Sequence, residues 1–190
     1  MKEICFATNN KNKLKEIQSL LPDFKIICLE DIQCHEDLPE NQTTLEGNAN
    51  EKAQYVWDNY NVACFADDTG LEIEVLNGEP GVYSARYAGP QRNSDDNIRL
   101  VLKKLVNQTN RKAQFRTVIC LINEEGKTFF EGVAKGNITM EKSGVDGFGY
   151  DPIFKAENSE LTFAEISIEE KNKISHRGIA VRKLVSFFNE

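Results

Sequence analysis

Several features are scarce in this chain, and each scarcity narrows what it can do. Basic charge is in deficit: 30 acidic residues against 23 basic ones give a formal net charge of −7. That balance excludes a sequence-independent grip on nucleic acid, which needs a broad basic surface, so any anionic ligand must be held locally. Long apolar runs are missing. No N-terminal stretch has the length of a signal peptide and nothing approaches a membrane span, so a soluble, cytoplasmic protein with no membrane or nucleic-acid partner is expected. Paired-cysteine spacing is missing too. Of the 5 cysteines, Cys5, Cys28, Cys64 and Cys120 lie in apolar runs of strand character and Cys34 sits in a polar loop, with no Cys-x-x-Cys. An odd count without zinc-type spacing predicts reduced thiols, and Cys34-His35 reads as a solvated loop pair, since two ligands do not make a zinc site. A P-loop is also absent. Gly126-Lys127-Thr128 imitates its end, but Leu121 stands where the first glycine belongs, and Glu124-Glu125-Gly126-Lys127 reads as a hairpin turn between two strand-like runs.

What is present suffices for a sizeable core: 190 residues, 40% of them hydrophobic, predict one domain or two closely joined lobes. Glu3 to Ala7 reads as a buried strand, followed by the polar loop Thr8-Asn9-Asn10-Lys11-Asn12-Lys13 and a helix bearing Leu14, Ile17, Leu20 and Leu21 on one face. Such a junction offers backbone N–H groups and the positive end of a helix dipole, with lysines nearby, and so reads either as a phosphate cradle or as a solvated lysine-rich first turn. Phe24 to Leu29 reads as a second strand, and an acidic loop runs to Glu40. Thr43-Thr44-Leu45-Glu46 reads as a capping box opening a helix with Leu45, Ala49, Ala53, Val56 and Tyr60 on its buried stripe and Lys52 off it. Ser94-Asp95-Asp96 caps a later helix. Two long runs, Ala113 to Asn123 and Thr128 to Lys135, then predict an antiparallel pair. Strands alternating with helices and then a hairpin predict a mixed-sheet α/β fold.

Two stretches concentrate the chemistry. In Phe65-Ala66-Asp67-Asp68-Thr69-Gly70-Leu71 an apolar run delivers two adjacent carboxylates before a glycine, which reads as strand, acidic corner, strand. Successive strand residues face opposite ways, so only one of Asp67 and Asp68 can address a given ligand if the chain stays extended. In Gly144-Val145-Asp146-Gly147-Phe148-Gly149-Tyr150-Asp151-Pro152 the glycines free the backbone to approach a ligand, Phe148 and Tyr150 offer flat faces, and Pro152 holds Asp151 extended; the other reading of the same residues is a glycine-rich turn whose aromatics plug the core. Downstream, Ser167-Ile168-Glu169-Glu170 forms a capping box with Lys171 just inside a short helix. Ser175-His176-Arg177 opens the last helix, on which Val181, Leu184, Val185 and Phe188 form the apolar stripe. A cation at a helix N-terminus is disfavoured by the dipole, so Arg177 predicts an anion or a carbonyl-rich ligand there.

The phosphate loop, the Asp67-Asp68 stretch, Pro80-Gly81-Val82-Tyr83-Ser84-Ala85-Arg86-Tyr87, Phe148-Gly149-Tyr150-Asp151-Pro152 and Ser175-His176-Arg177 occur in the order seen in the inosine/xanthosine triphosphate pyrophosphatase family. The chain resembles that family from end to end. The resemblance implies a mixed α/β domain spanning residues 1–190, with a central sheet flanked by helices and two lobes with the active-site cleft between them. It implies magnesium-dependent hydrolysis of non-standard purine nucleoside triphosphates (ITP, dITP, XTP) to monophosphate and pyrophosphate, cleansing the nucleotide pool, by a homodimer. It places substrate contacts on Thr8, Asn9, Asn10, Lys11, Asn12, Lys13, Lys52 and Thr69, and base recognition on Phe148, Gly149, Tyr150, Asp151, Lys171, His176 and Arg177. Asp68 is implied as general base and metal ligand, Glu40 as a further metal ligand, and Asp67 supports from behind. Asn9 stands where glycine is common and Gly47 where many relatives have Glu. The rival readings are a septum-inhibitor-like pyrophosphatase for modified pyrimidines and a non-catalytic nucleotide sensor.

Overall fold

The computed structural model describes residues 2–189. Its strands are β1 (Lys2–Phe6), β2 (Phe24–Ile27), β3 (Cys64–Ile73), β4 (Pro80–Gly81), β5 (Lys112–Asn123), β6 (Gly126–Ile138) and β7 (Phe154–Ala156). The helices are α1 (Lys11–Leu20), α2 (Leu45–Tyr60), α3 (Ser94–Lys104), α4 (Ile168–Ile174) and α5 (His176–Phe188). The sheet order is β2-β1-β3-β5-β6-β7, with β4 on β3. β1 runs parallel to β2 and to β3, whereas β4 and β7 pair antiparallel with β3 and β6. The mixed α/β architecture expected from the alternation is therefore present. Parallel pairing follows from helical crossovers, and the antiparallel β3–β4 pair from the short connection between its strands.

The chain divides into two compact units. The first comprises Met1–Asp68, Thr117–Gly132 and Arg177–Glu190, the second Thr69–Arg116 and Val133–His176. Each has its own core. In the first, Ile17 and Leu21 from α1 and Val181 and Leu184 from α5 join Ile4, Phe6, Phe65, Ile119 and Leu121 from the strands, and the Phe6 and Phe65 rings stack at 4.6 Å. In the second, Ile98, Val101 and Leu105, along α3 and just past it, pack with Leu71, Ile73, Phe115, Ile138, Tyr150, Phe154 and Phe163.

Local chemistry differs from the sequence reading at several points. β3 is one uninterrupted strand, so Asp67-Asp68-Thr69-Gly70 is no corner. Gly70 is required for space instead of for turning, because a Cβ there would lie 2.7 Å from the Gly81 carbonyl oxygen. The α2 N-cap is Thr44, whose side chain accepts from Gly47 N. The third helical position is thus a glycine, and the reciprocal half of a capping box cannot form. α3 is capped by Asn93, one residue earlier than expected, while the capping box at Ser167 and Glu170 is present. Glu124-Glu125 joins β5 to its sheet neighbour β6, leaving Gly126-Lys127-Thr128 at a strand start. Cys34 is buried, 1% exposed, although its sequence surroundings are polar. Burial pushes the Cys5 thiol up to about 12 and the Cys120 thiol up to about 11, which makes both poor nucleophiles.

Candidate active site

In the first unit, β1 delivers the polar loop to the N-terminus of α1. Asn10 adopts an extended backbone (φ −83, ψ 104), and its side-chain oxygen accepts from Asn12 N and Lys13 N at 3.0 and 3.2 Å. Two first-turn N–H groups that the sequence reading offers to a ligand are therefore already used by the cap. Asn10 N donates to Thr8 Oγ1 at 3.2 Å, and Asn9, Asn10, Lys11 and Asn12 are exposed. Lys13 turns inward, its Nζ donating to Asp67 Oδ1 at 2.8 Å.

Adjacent positions on β3 have separate partners, as strand alternation requires. Asp67, 1% exposed, accepts from Lys13 on one oxygen and from Arg177 Nε and Nη2 on the other, at 3.2 and 3.1 Å. Arg177 Nη1 also donates to Glu16. The anion that Arg177 demands is thus supplied by the protein's own carboxylates. Asp68 accepts from Asn48 Nδ2 on Oδ2 at 2.9 Å and places Oδ1 3.7 Å from Lys52 Nζ. Lys52 Nζ donates to Glu40 Oε1 at 2.7 Å. Lys52 is 6% exposed. It belongs to the inward face of α2 with Asn48 and Ala49, not to the solvent side where the sequence reading left it.

Electrostatics separates the two aspartates. Burial would raise the Asp67 pKa, but Lys13, Arg177 and Lys52 outweigh it and hold this carboxyl well below the usual carboxylate range. Burial dominates at Asp68 and raises its pKa against the pull of Lys52, Lys13 and the Asn48 hydrogen bond. Burial opposes the charge on Lys52, yet Asp68, Glu40 and Asp67 more than offset it and raise its pKa. Lys13 is pushed down, by burial first and then by its cationic neighbours, with Asp67 opposing. The two chain neighbours thus differ in proton affinity, Asp67 lowered and Asp68 raised, and groups whose environments push their pKa values apart are frequent in acid–base sites.

Glu40 and Asp68 are also the groups suited to a metal ion. Both are hard oxygen donors converging on one cationic position, now taken by the Lys52 ammonium. Magnesium is usually held by one or two carboxylates with waters and substrate phosphates completing its shell. Among the described residues no cluster of three or more His, Cys, Asp or Glu side chains forms a self-sufficient cage. The donor set fits magnesium shared with a phosphate better than a structural metal.

The second unit carries the remaining candidates. Gly144, Gly147 and Gly149 all have positive φ, at 84, 74 and 61. At Gly147 a Cβ would lie 2.3 Å from Asp151 Oδ2, so this glycine makes room for the buried carboxylate. Asp151 opens a tight turn, Asp151–Ile153, instead of staying extended before Pro152. Its Oδ2 accepts from Phe148 N at 2.8 Å and from Lys171 Nζ at 2.6 Å. That ammonium also lies 4.9 Å from the Phe148 ring centroid. Phe148, Asp151 and Lys171 are therefore one assembly. Tyr150 is a core residue whose hydroxyl donates to the Ser84 carbonyl at 2.8 Å, so its ring plugs the core, the second of the two readings of this loop, and offers no open flat face. His176 is 3% exposed and stacks on Phe115 at 4.5 Å. Thr69, half-buried, follows Asp68 on β3.

Sequence reasoning missed Glu16 and Asn48. Nothing local marks Glu16, a charged residue on a half-polar helix. Asn48 was accessible, because it precedes Lys52 by one turn on the same helix face.

Comparison with known proteins adds a family and close relatives. The Ham1 family model matches residues 4–187. A Flavobacterium psychrophilum protein named dITP/XTP pyrophosphatase is 59% identical over 187 residues, covering 98% of each chain. The protein of that name from Flavobacterium johnsoniae is 60% identical over 185 residues, covering 96% of each. Among solved structures, the Staphylococcus aureus Ham1 protein superposes with a TM-score of 0.90 at 40% identity, covering 99% of this chain and 98% of the other. A Coxiella burnetii HAM1 protein gives 0.91 at 39% identity, covering 100% and 99%.

Proposed function

The chain belongs to the Ham1 family, and on that premise we propose that it is a nucleoside-triphosphate pyrophosphatase acting on deaminated purine nucleotides. Its substrates are dITP, XTP and ITP, its products the nucleoside monophosphate and pyrophosphate, and its role is to cleanse the nucleotide pool. Residues 1–190 act as a single catalytic domain, in the cytoplasm and as a homodimer. No helix among the described residues is long and apolar enough to cross a membrane. The observation that carries this reading is the buried Lys52, held between Glu40 and Asp68 at 2.7 and 3.7 Å.

The loop Thr8 to Lys13 and Lys52 take the triphosphate, which brings the negative charge that a protein of net charge −7 must neutralise locally. Glu40 and Asp68 hold magnesium, whose chemistry is to neutralise phosphate charge and favour departure of pyrophosphate. Asp68, with its raised proton affinity, takes the proton from the water that attacks the α-phosphorus. The new bond joins water oxygen to phosphorus, the α–β bridging bond breaks, and pyrophosphate leaves with the bonding pair. Asp67 stays ionised and holds Lys13.

Selectivity against adenine rests on the six-position of the base, whereas guanine shares that oxygen and its rejection rests on the two-position. Hypoxanthine and xanthine present an acceptor oxygen where adenine presents an amino donor, so a donor from His176 pairs only with the former. Phe148, Gly149 and Asp151, with Lys171, position the base, and Thr69 lies at the substrate beside Asp68. A site built on such a bond rejects the mismatched group by up to about 10⁴-fold. The test is turnover of dITP, XTP, ATP and GTP with and without magnesium, alongside Asp68→Asn. Metal-dependent monophosphate and pyrophosphate from dITP and XTP, reduced about 10²- to 10⁴-fold in the variant, is expected. Tight nucleotide binding without turnover would make the protein a sensor.

A further inference from the structure

We propose that Asn48 is a positioning residue for the reacting carboxylates: one carboxamide fixes both the loop that carries Glu40 and the rotamer of Asp68. The inference rests on the pyrophosphatase reading for its consequence, but its geometry stands independently. Asn48 lies at the end of the first turn of α2 and is 1% exposed. Its two amide atoms serve different masters. Oδ1 accepts from the backbone N–H of Gln42 at 2.9 Å, and Nδ2 donates to Asp68 Oδ2 at 2.9 Å.

The orientation of this amide is dictated by chemistry. A backbone N–H only donates and an ionised carboxylate only accepts. Flipping the group would lose both bonds and oppose donor to donor and acceptor to acceptor. The consequence is directional control of Asp68: with Oδ2 engaged by Asn48, it is Oδ1 that turns toward Lys52, at 3.7 Å, where Glu40 Oε1 also arrives, at 2.7 Å from the same ammonium.

A second tether on the same helix works with the first. Glu51 accepts from Asn41 N at 2.8 Å and from Gln42 Nε2 at 3.2 Å. The residues directly after Glu40 are thus anchored to α2 through Asn48 and Glu51. Gly47 has no side chain to help, and a Cβ there would lie 2.6 Å from the Gln42 Cβ. Of the two tethers only Asn48 reaches Asp68 as well, so it couples the loop to the strand. Partners that orient metal-binding carboxylates typically contribute about 10- to 100-fold in metal affinity or activity.

The test compares wild type with Asn48→Leu, which keeps volume and removes both bonds, and Asn48→Ser, which is small and polar. Magnesium binding is measured by calorimetry with a non-hydrolysable dITP analogue present, kcat and KM for dITP are measured separately, and folding is followed by circular dichroism. Folded variants should bind magnesium about 10- to 100-fold more weakly and lose a similar factor in kcat, with KM for dITP changed much less. Either variant folded, with magnesium affinity and kcat within about twofold of wild type, well inside the expected loss, overturns the proposal. So does a loss confined to KM. If Asn48→Leu fails to fold, Asn48→Ser decides. A wild type that binds magnesium and analogue but turns over neither dITP nor XTP defeats the pyrophosphatase reading alone, and the calorimetric comparison then still judges Asn48.

Discussion

Replacing Arg177 with methionine should unfold the protein far more readily than its single altered charge suggests. The guanidinium is 1% exposed and is shared by two buried carboxylates: Nη1 donates to Glu16, while Nε and Nη2 donate to Asp67 Oδ2 at 3.2 and 3.1 Å. Methionine fills much of the volume but supplies no donors. Glu16, itself 4% exposed, loses the guanidinium, and Asp67 keeps Lys13 at 2.8 Å. Removing one partner from a buried ion pair costs about 3–5 kcal/mol, because the remaining charge stays desolvated. For a chain of this size each kcal/mol lowers Tm by roughly 2–4 °C, so a fall of about 6–20 °C is expected in a circular-dichroism melt at neutral pH. Adding Glu16→Gln to Arg177→Met should return part of the loss, since the buried carboxylate that loses the guanidinium is what costs most. A single variant melting within about 2 °C of wild type, the effect of at most about 1 kcal/mol, would refute the reasoning. A double variant that loses the full sum of its two single losses would refute it equally.

Two further outcomes follow from the same geometry. Gly70→Ala would drive a methyl group to 2.7 Å from the Gly81 carbonyl, so the denaturation midpoint should fall by the equivalent of about 1–3 kcal/mol; an unchanged midpoint would show that β3 and β4 can separate at no cost. Asp67 has a folded pKa depressed below its unfolded value, so its contribution to stability is complete above the unfolded pKa of about 3.9 and is lost as pH falls through the folded value. Urea stability should therefore drop with acidification below about pH 4, and Asp67→Asn should flatten that slope; equal slopes would contradict the ion-pair assignment.

Much of this was legible in the sequence where short-range chemistry decides the structure. The Ser167–Glu170 capping box, the apolar stripe of α5 and the hairpin at Glu124-Glu125 all depend on neighbouring residues, and all appear where the pattern puts them. Gly70 misled because a glycine needed for close approach of another strand looks the same as one needed for a turn. Lys52 was misplaced because a lysine at an inward helical position reads as solvent-exposed until its carboxylate partners are known, and those lie on Glu40 and Asp68. Arg177 was read as awaiting a ligand for the same reason, its partners Glu16 and Asp67 being distant in sequence. Cys34 sits in polar, acidic surroundings that hid its burial.

The chemical step itself offers the most direct measurement. Hydrolysis of dITP in ¹⁸O-labelled water, with the products separated and weighed by mass spectrometry, locates the attacked phosphorus. Label found in the monophosphate, with unlabelled pyrophosphate, is the expected result if Asp68 has its proposed role of directing water to the α-phosphorus. Label in pyrophosphate, or release of diphosphate with labelled phosphate, would contradict that assignment and move the attack along the triphosphate chain.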